Sequence, residues 1–219
     1  MIIRRDCVDH PYKIALIGGT GKVGRFLASE ALKNGFQVRM LVRSPNKIKI
    51  CDDKMEVVKG DVVNIEAIKQ LLEGCHIVIN CFGQRMRDTP IYSRVTSQIL
   101  KVMKEKKMKR YIGVTGASLT IKGDKKSLLN RIGATMFEVF FSKMIINKKE
   151  EFNILLENQD LDWTLIRLPF VREAVKSNPV KVSFTDMPGS FITNKEIASF
   201  IISQMDNKAY IHKTPFIAS

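Results

Sequence analysis

The chain predicts a doubly wound α/β fold, a parallel sheet with helices on both faces and a small C-terminal lobe. Three observations carry this. Short apolar runs alternate with helix-period stretches along nearly the whole length. A glycine-rich turn, Gly18, Gly21 and Gly24, follows the first apolar run and opens the first helical pattern. The 219 residues contain no repeat or low-complexity tract, so residues 1–219 read as one domain.

The elements follow in order. "KIALIG" (13–18) is a short buried strand, and "KVGRFLASEALKNG" is an amphipathic helix closed by Gly35. "FQVRMLVR" (36–43) is the second strand and "MEVVKGD" (55–61) the third. "NIEAIKQLLEG" (64–74) is a helix, and "CHIVINCFG" (75–83) is the fourth strand. A long helix covers about 90–107, and "RYIGVTG" (110–116) is the fifth strand. A helix-rich stretch spans 126–158, with a break expected near Gly133. "DWTLIRLP" (162–169) is the sixth strand. A last helix fits 193–206, followed by a strand-like "HKTPFIA". Residues 170–192, with Pro179, Pro188 and Gly189, read as a small irregular lobe over the site. In such sheets the ligand lies at the carboxyl ends of the strands.

Composition narrows the function classes. Lys and Arg number 36 against 22 Asp and Glu, a formal charge of +14. Such a field attracts anions in general: nucleotides, nucleic acid, acidic lipid. A phosphate-bearing cofactor alone would not need so many cations, and simple solubility is the plain reading. The densest basic run, "KVMKEKKMKR" (101–110), ends a helix, where cations suit the dipole. No aromatic platform or recognition motif accompanies it, so no specific nucleic-acid partner is expected. Four cysteines (Cys7, Cys51, Cys75, Cys81) form no CxxC, and three histidines are scattered. No metal site is expected, and the thiols read as reduced in a cytoplasmic protein. The N-terminus lacks the apolar core of a signal peptide. "FEVFFSKMII" (137–146), broken by Glu138 and Lys143, is too short to span a membrane. It reads as core or a dimer face, with a membrane-surface role as the minor alternative. The chain is expected to be a monomer or homodimer.

The glycine turn is the main functional signal. The first glycine permits the tight turn, the second lets backbone approach a pyrophosphate, and the third lets helix and strand pack. Amides at the helix start then face the phosphates. Thr20, Lys22 and Val23 fill the positions between. A Walker A loop is excluded, because Leu16 stands where its first glycine belongs and Val23 where Ser or Thr is needed. The turn therefore predicts a dinucleotide in a Rossmann fold. NAD-binding sheets usually end their second strand with an acid that holds the ribose hydroxyls. Here the position reads "MLVRSPNK", with Arg43, Ser44 and Lys47 and no acid. A guanidinium fork suits a 2′-phosphate, so NADP (NADPH) is the expected cofactor. Arg39 would point away from the ligand edge.

"IALIGGTGKVGRFLASEALKNGFQVRMLVRSPNK", "VVKGDV", "VINCFG", "YIGVTGAS" and "LDWTLIRLPFV", in this order, resemble the atypical short-chain dehydrogenase/reductases. The nearest likeness is to the NAD(P)H-binding branch with biliverdin IXβ reductase/flavin reductase and the NmrA-like proteins. The resemblance implies that Asp61 and Val62 contact adenine and that Cys81, Phe82 and Gly83 lie beside the inner ribose. It implies that Thr115 and Gly116 position the nicotinamide, and that Pro169, Phe170 and Val171 touch its amide. Arg167 belongs to an "RP" element of the family, but Leu168 intervenes before Pro169, so a structural ion pair is expected there.

Typical members use Tyr-x-x-x-Lys as the proton donor. Four residues after Tyr12, Tyr92, Tyr111 and Tyr210 stand Leu16, Thr96, Thr115 and Thr214, so the pair is absent in series. The helix before the sixth strand offers Lys143, Lys148 and Lys149 but no tyrosine. Thr115 and Ser118 are the hydroxyls nearest the fifth strand's tip. Chemistry without a dedicated acid suits a small planar acceptor such as a flavin, quinone or tetrapyrrole, which needs mainly alignment with the hydride donor. Phe82, Met86, Phe170, Phe184 and Met187 could build a flat slot, and Arg85 and Arg87 could meet an acidic group. The alternative is an NADP(H)-binding redox-sensing regulator of the NmrA-like kind. A nucleotide-sugar epimerase is disfavoured by the missing Tyr-x-x-x-Lys and the short C-terminal lobe.

Overall fold

A computed structural model of the chain describes residues 10–48, 50, 52–86, 88–174 and 178–219. Cys7, Cys51, Arg87 and the Lys47 side chain lie outside the described residues. In chain order the main elements are β1 (Lys13–Ile17), α1 (Gly24–Lys33), β2 (Gln37–Val42), β3 (Met55–Lys59), α2 (Ile65–Leu72) and β4 (Ile77–Asn80). There follow α3 (Tyr92–Glu105), β5 (Arg110–Gly116), α4 (Leu128–Phe140), α5 (Ser142–Glu157) and β6 (Asp162–Leu168). The chain closes with β7 (Phe170–Arg172), β8 (Lys181–Ser183), β9 (Phe191–Thr193), α6 (Asn194–Ser203) and β10 (Phe216–Ala218).

One sheet of eight strands runs β3-β2-β1-β4-β5-β6-β10-β8. All its pairings are parallel except the last, in which β8 runs antiparallel to β10. The strand order reverses between β1 and β4, which opens a crevice above their carboxyl ends. The longest register joins β5 to β6, from Arg110 beside Asp162 to Gly116 beside Leu168.

The alternation of side chains along each strand builds two cores. Ile14 and Leu16 of β1 join Ile77 and Ile79 of β4 under α1 and α6. Ala15 and Ile17 face the other way, with Val78, Trp163 and Leu165, under α2, α3 and α5. Both faces are apolar because both are covered, as a doubly wound parallel sheet requires. Helix ends are fixed locally. The Asn64 side-chain Oδ1 accepts from Glu66 N–H at 2.9 Å to start α2. Thr193 and Glu196 form a reciprocal capping box at α6. Gly35 ends α1 at φ +84°, where a side chain would be strained.

Two expectations change. The helical stretch does not break near Gly133, which lies inside α4, where an added Cβ would meet no neighbouring atom. An exposed glycine costs a helix about 1 kcal/mol but does not end it. The break falls at Phe141, whose φ of −129° and ψ of 38° leave the helical region and turn the chain into α5. The sheet is also not wholly parallel, since β8 adds an antiparallel edge. Within residues 170–192, β7 and β9 pair in a separate two-stranded ribbon.

Candidate functional site

The crevice above β1 and β4 is a cleft of about 1060 Å3. Its floor is the glycine turn. Gly21 N–H donates to the Gly18 carbonyl at 2.9 Å, closing the turn. Gly18 has φ +75°, and a Cβ there would collide with the Cys81 carbonyl. A Cβ on Gly24 would strike the Gly18 carbonyl, so strand and helix approach only because both positions are glycine. The start of α1 has neither a side-chain cap nor an acid in its first turn. Arg25 and Phe26 N–H already donate to the Gly21 and Val23 carbonyls at 3.2 Å, so the amides that could face an anion are those of the turn just before them, at the positive dipole end.

At one end of the cleft stands Arg43, directly after β2. Its side chain is 81% exposed, and Nη1 lies 4.0 Å from the Asp61 carboxylate. Asp61 also accepts from Val63 N–H at 3.1 Å, which turns the chain toward α2. At the other end, the Thr115 hydroxyl is buried without a hydrogen-bond partner, on a cavity-lining residue only 5% exposed. A buried hydroxyl left unpaired is costly. Ser118 lies on the same rim.

Behind this end runs a buried polar network. Lys148 Nζ lies 3.1 Å from Glu151 Oε2 and 3.6 Å from the centre of the Tyr92 ring. Thr96 Oγ1 donates to Glu151 Oε1 at 2.8 Å. Asn80 Nδ2 donates to the Tyr111 hydroxyl at 3.0 Å, and Asn80 Oδ1 accepts from Phe82 N–H at 3.0 Å, holding the loop after β4. The Tyr92 hydroxyl accepts from Gln84 N–H at 3.2 Å. Burial, reinforced by the Glu151 charge, raises the Tyr92 phenol above its usual range and outweighs that hydrogen bond. Tyr92 thus holds its proton firmly.

Most of the residues singled out from the sequence meet here. Gly18, Thr20, Gly21, Lys22, Val23, Arg43, Asp61, Val62, Cys81, Phe82, Gly83, Thr115, Ser118, Pro169 and Val171 all line the cleft, as does Arg85. Gly24, Ser44 and Phe170 do not. Gly24 acts beneath the turn. Phe170 is 75% exposed on β7 and faces Phe191. Of the five residues considered for a flat slot, only Phe82 contributes: Met86 is exposed, and Phe184 stacks on Tyr210. The apolar wall comes instead from Phe137, Met144 and Ile145.

Met144 escaped the sequence reading, and Lys148 and Tyr92 were weighed there only as members of a Tyr-x-x-x-Lys pair in series. A scan starting from tyrosines passes over Met144-x-x-x-Lys148, which has the right spacing with methionine in the tyrosine place. Tyr92, from α3, meets the lysine in space though not in series. The ammonium lies over the ring face, a cation–π contact, and not beside the hydroxyl.

Other residues take supporting roles. Arg167, fully buried, donates from Nη1 to both Asp124 oxygens at 2.8 Å and packs over Phe216. It is the expected structural ion pair, and it ties β6 to the loop carrying Ser118. Arg39 serves Glu56 and the carbonyls of Gln70 and Glu73, away from the cleft. Burial pushes the Cys81 thiol up to about 12, which keeps it protonated and unreactive. Among the described residues no cluster of His, Cys, Asp or Glu could hold a metal ion. No described helix is long and apolar enough to cross a membrane.

Comparison with known proteins gives the family and the fold. The model of a family described as NAD(P)H-binding matches residues 18–208. The chain is 23% identical over 154 residues to the uncharacterized protein YwnB of Bacillus subtilis, covering 70% of each. It is 23% identical over 221 residues to isoflavone reductase homolog A622 of Nicotiana tabacum, covering 94% of this chain and 68% of that protein. A short-chain dehydrogenase/reductase from Veillonella parvula, solved in complex with NADP, superposes with a TM-score of 0.76. That likeness covers 95% of this chain and 94% of the other at 15% identity, and it describes the fold alone.

Proposed function

The chain belongs to the NAD(P)H-binding family, and from that premise we propose that it is an NADPH-dependent reductase of a small planar acceptor such as a flavin, quinone or tetrapyrrole. One observation carries the reading. A single cleft joins an anion-ready helix start and a strand-end arginine to an unpaired buried hydroxyl beside an apolar wall.

The residues fit the cofactor. The amides of the Gly18–Gly24 turn would hold the pyrophosphate. Arg43, exposed and loosely held by Asp61, would grip the 2′-phosphate in a two-pronged contact. Thr115 would bond the nicotinamide end and fix its orientation. When bound, the reduced nicotinamide supplies a hydride. Phe82, Phe137 and Met144 would seat a flat acceptor against the donor and exclude water. Lys148 does not stand beside a phenolic oxygen, so the tyrosine is not primed as an acid in the usual way. This supports an acceptor whose own electron deficiency does most of the work, with water as the final proton source.

The test is a panel of flavins, quinones and tetrapyrroles followed by the loss of nicotinamide absorbance. Turnover above the uncatalysed rate is expected with NADPH and much less with NADH. Tight NADPH binding without turnover on any acceptor would instead support a redox-sensing regulator.

A further inference from the structure

The outer face of α4 has no role in the cleft. Leu128, Leu129, Ile132, Met136, Val139 and Phe140 are between 49% and 82% exposed. Their spacing places them within roughly 120° of the helix circumference, one continuous stripe. Of the α4 residues only Ala134 is buried, on the opposite side. Six large apolar side chains on one exposed helix exceed the scattered exposure normal for a protein surface and mark a contact surface.

The charges around the stripe identify what it contacts. Lys122 and Lys125 precede α4, Arg131 flanks the stripe, and Lys143 lies in the first turn of α5, three residues past its end. All four are exposed, and none forms an ion pair among the described residues. The nearby acids are already engaged. Asp124 is bound by Arg167, Glu138 by Lys149, and Asp186 by Ser127 and Asn130. The rim is therefore cationic without compensation, on a chain whose net charge is +14. A second copy of this chain would bring the same unpaired cations to the same rim, and like charges would oppose the contact. An apolar stripe bordered by lysine and arginine matches a lipid surface bearing negative headgroups.

We propose that α4 docks this protein peripherally onto anionic membranes, with Leu128, Leu129, Ile132, Met136, Val139 and Phe140 in the acyl boundary and Lys122, Lys125, Arg131 and Lys143 against the headgroups. The helix lies in the plane of the interface and does not cross it. This holds whether or not the cleft reduces an acceptor.

The test is flotation of the full chain with vesicles of phosphatidylcholine plus phosphatidylglycerol, against phosphatidylcholine alone. Binding is expected only to the anionic vesicles, weakening as salt rises. Leu129→Glu and Phe140→Glu, both at exposed positions outside the cleft, should each lower the partition coefficient about tenfold or more. A second reading comes from Leu129→Trp. Trp163 is buried, so a blue shift on adding anionic vesicles reports the new indole. No flotation of the wild type, flotation unchanged by both glutamates, or a tryptophan that stays at its aqueous wavelength overturns the proposal. So does a stable wild-type dimer that Leu129→Glu dissociates, since the face would then meet a second copy.

Discussion

Thr115 and Arg43 show what single side chains contribute to the cleft. The Thr115 hydroxyl is buried with nothing to bond. Replacing it with valine removes an unsatisfied group at almost constant volume. We expect Thr115→Val to leave the free protein as stable as the wild type or about 1 kcal/mol more stable. The thermal shift produced by NADPH should shrink at the same time. Melting curves with and without NADPH check both, and an undiminished shift would remove Thr115 from the site. Arg43→Ala should weaken NADPH binding about tenfold to a hundredfold, the loss of about 1.5–3 kcal/mol typical of a charge-assisted bond. NADH binding should hardly change. Titrations with both nucleotides test this, and equal losses would mean that Arg43 does not read the 2′-phosphate. The place of Arg43 at the cleft was legible because it directly follows a strand, where an acid is customary. Lys148 was not, because its partner Tyr92 comes from another helix and the sequence records only neighbours in series.

At the scale of elements, the parallel core was legible and its edges were not. Strands buried on both faces write themselves as uninterrupted apolar runs, as in "KIALIG" and "HIVIN". β8 has three residues, Lys181–Ser183, none fully buried, so nothing in its sequence marks it as the antiparallel edge. The lobe was misjudged at the level of side chains for a similar reason. Whether Phe170 or Phe137 faces the cleft depends on the course of the surrounding chain, which local pattern does not encode. Two stabilising devices here give predictions. Arg167 and Asp124 form a buried pair, so Arg167→Met should cost about 3–5 kcal/mol in urea unfolding by stranding the carboxylate. A loss below about 1 kcal/mol would mean that the clamp is not structural.

The second device is Glu196. Desolvation pushes its carboxyl up, but the N–H groups of Asn178 and Thr193 outweigh it and hold the group below its ordinary 4.5. A depressed carboxylate contributes stability above its unfolded value and loses it as pH falls through the folded one. The wild type should therefore lose stability in the acid range below about 4.5. Glu196→Gln should be less stable at neutral pH and show a flatter acid limb. Parallel limbs in urea midpoints measured across pH would contradict this.

For the whole molecule, the sheet sets where chemistry is possible and the surface sets where the protein works. The reversal of strand order between β1 and β4 opens one crevice, and the glycine turn, Arg43 and Thr115 all arrive there from different strands. That convergence was readable in advance, since the ends of parallel strands share an edge. Which of the cations behind the +14 charge stay unpaired was not readable, because composition does not record pairing. The most direct test of the central claim is steady-state oxidation of NADPH by the wild-type protein across flavins, quinones and tetrapyrroles, with NADH in parallel. The account predicts turnover with at least one planar acceptor, strongly favouring NADPH, with the preference abolished in Arg43→Ala. Tight NADPH binding with no turnover on any acceptor, or equal rates with both nucleotides, would contradict it.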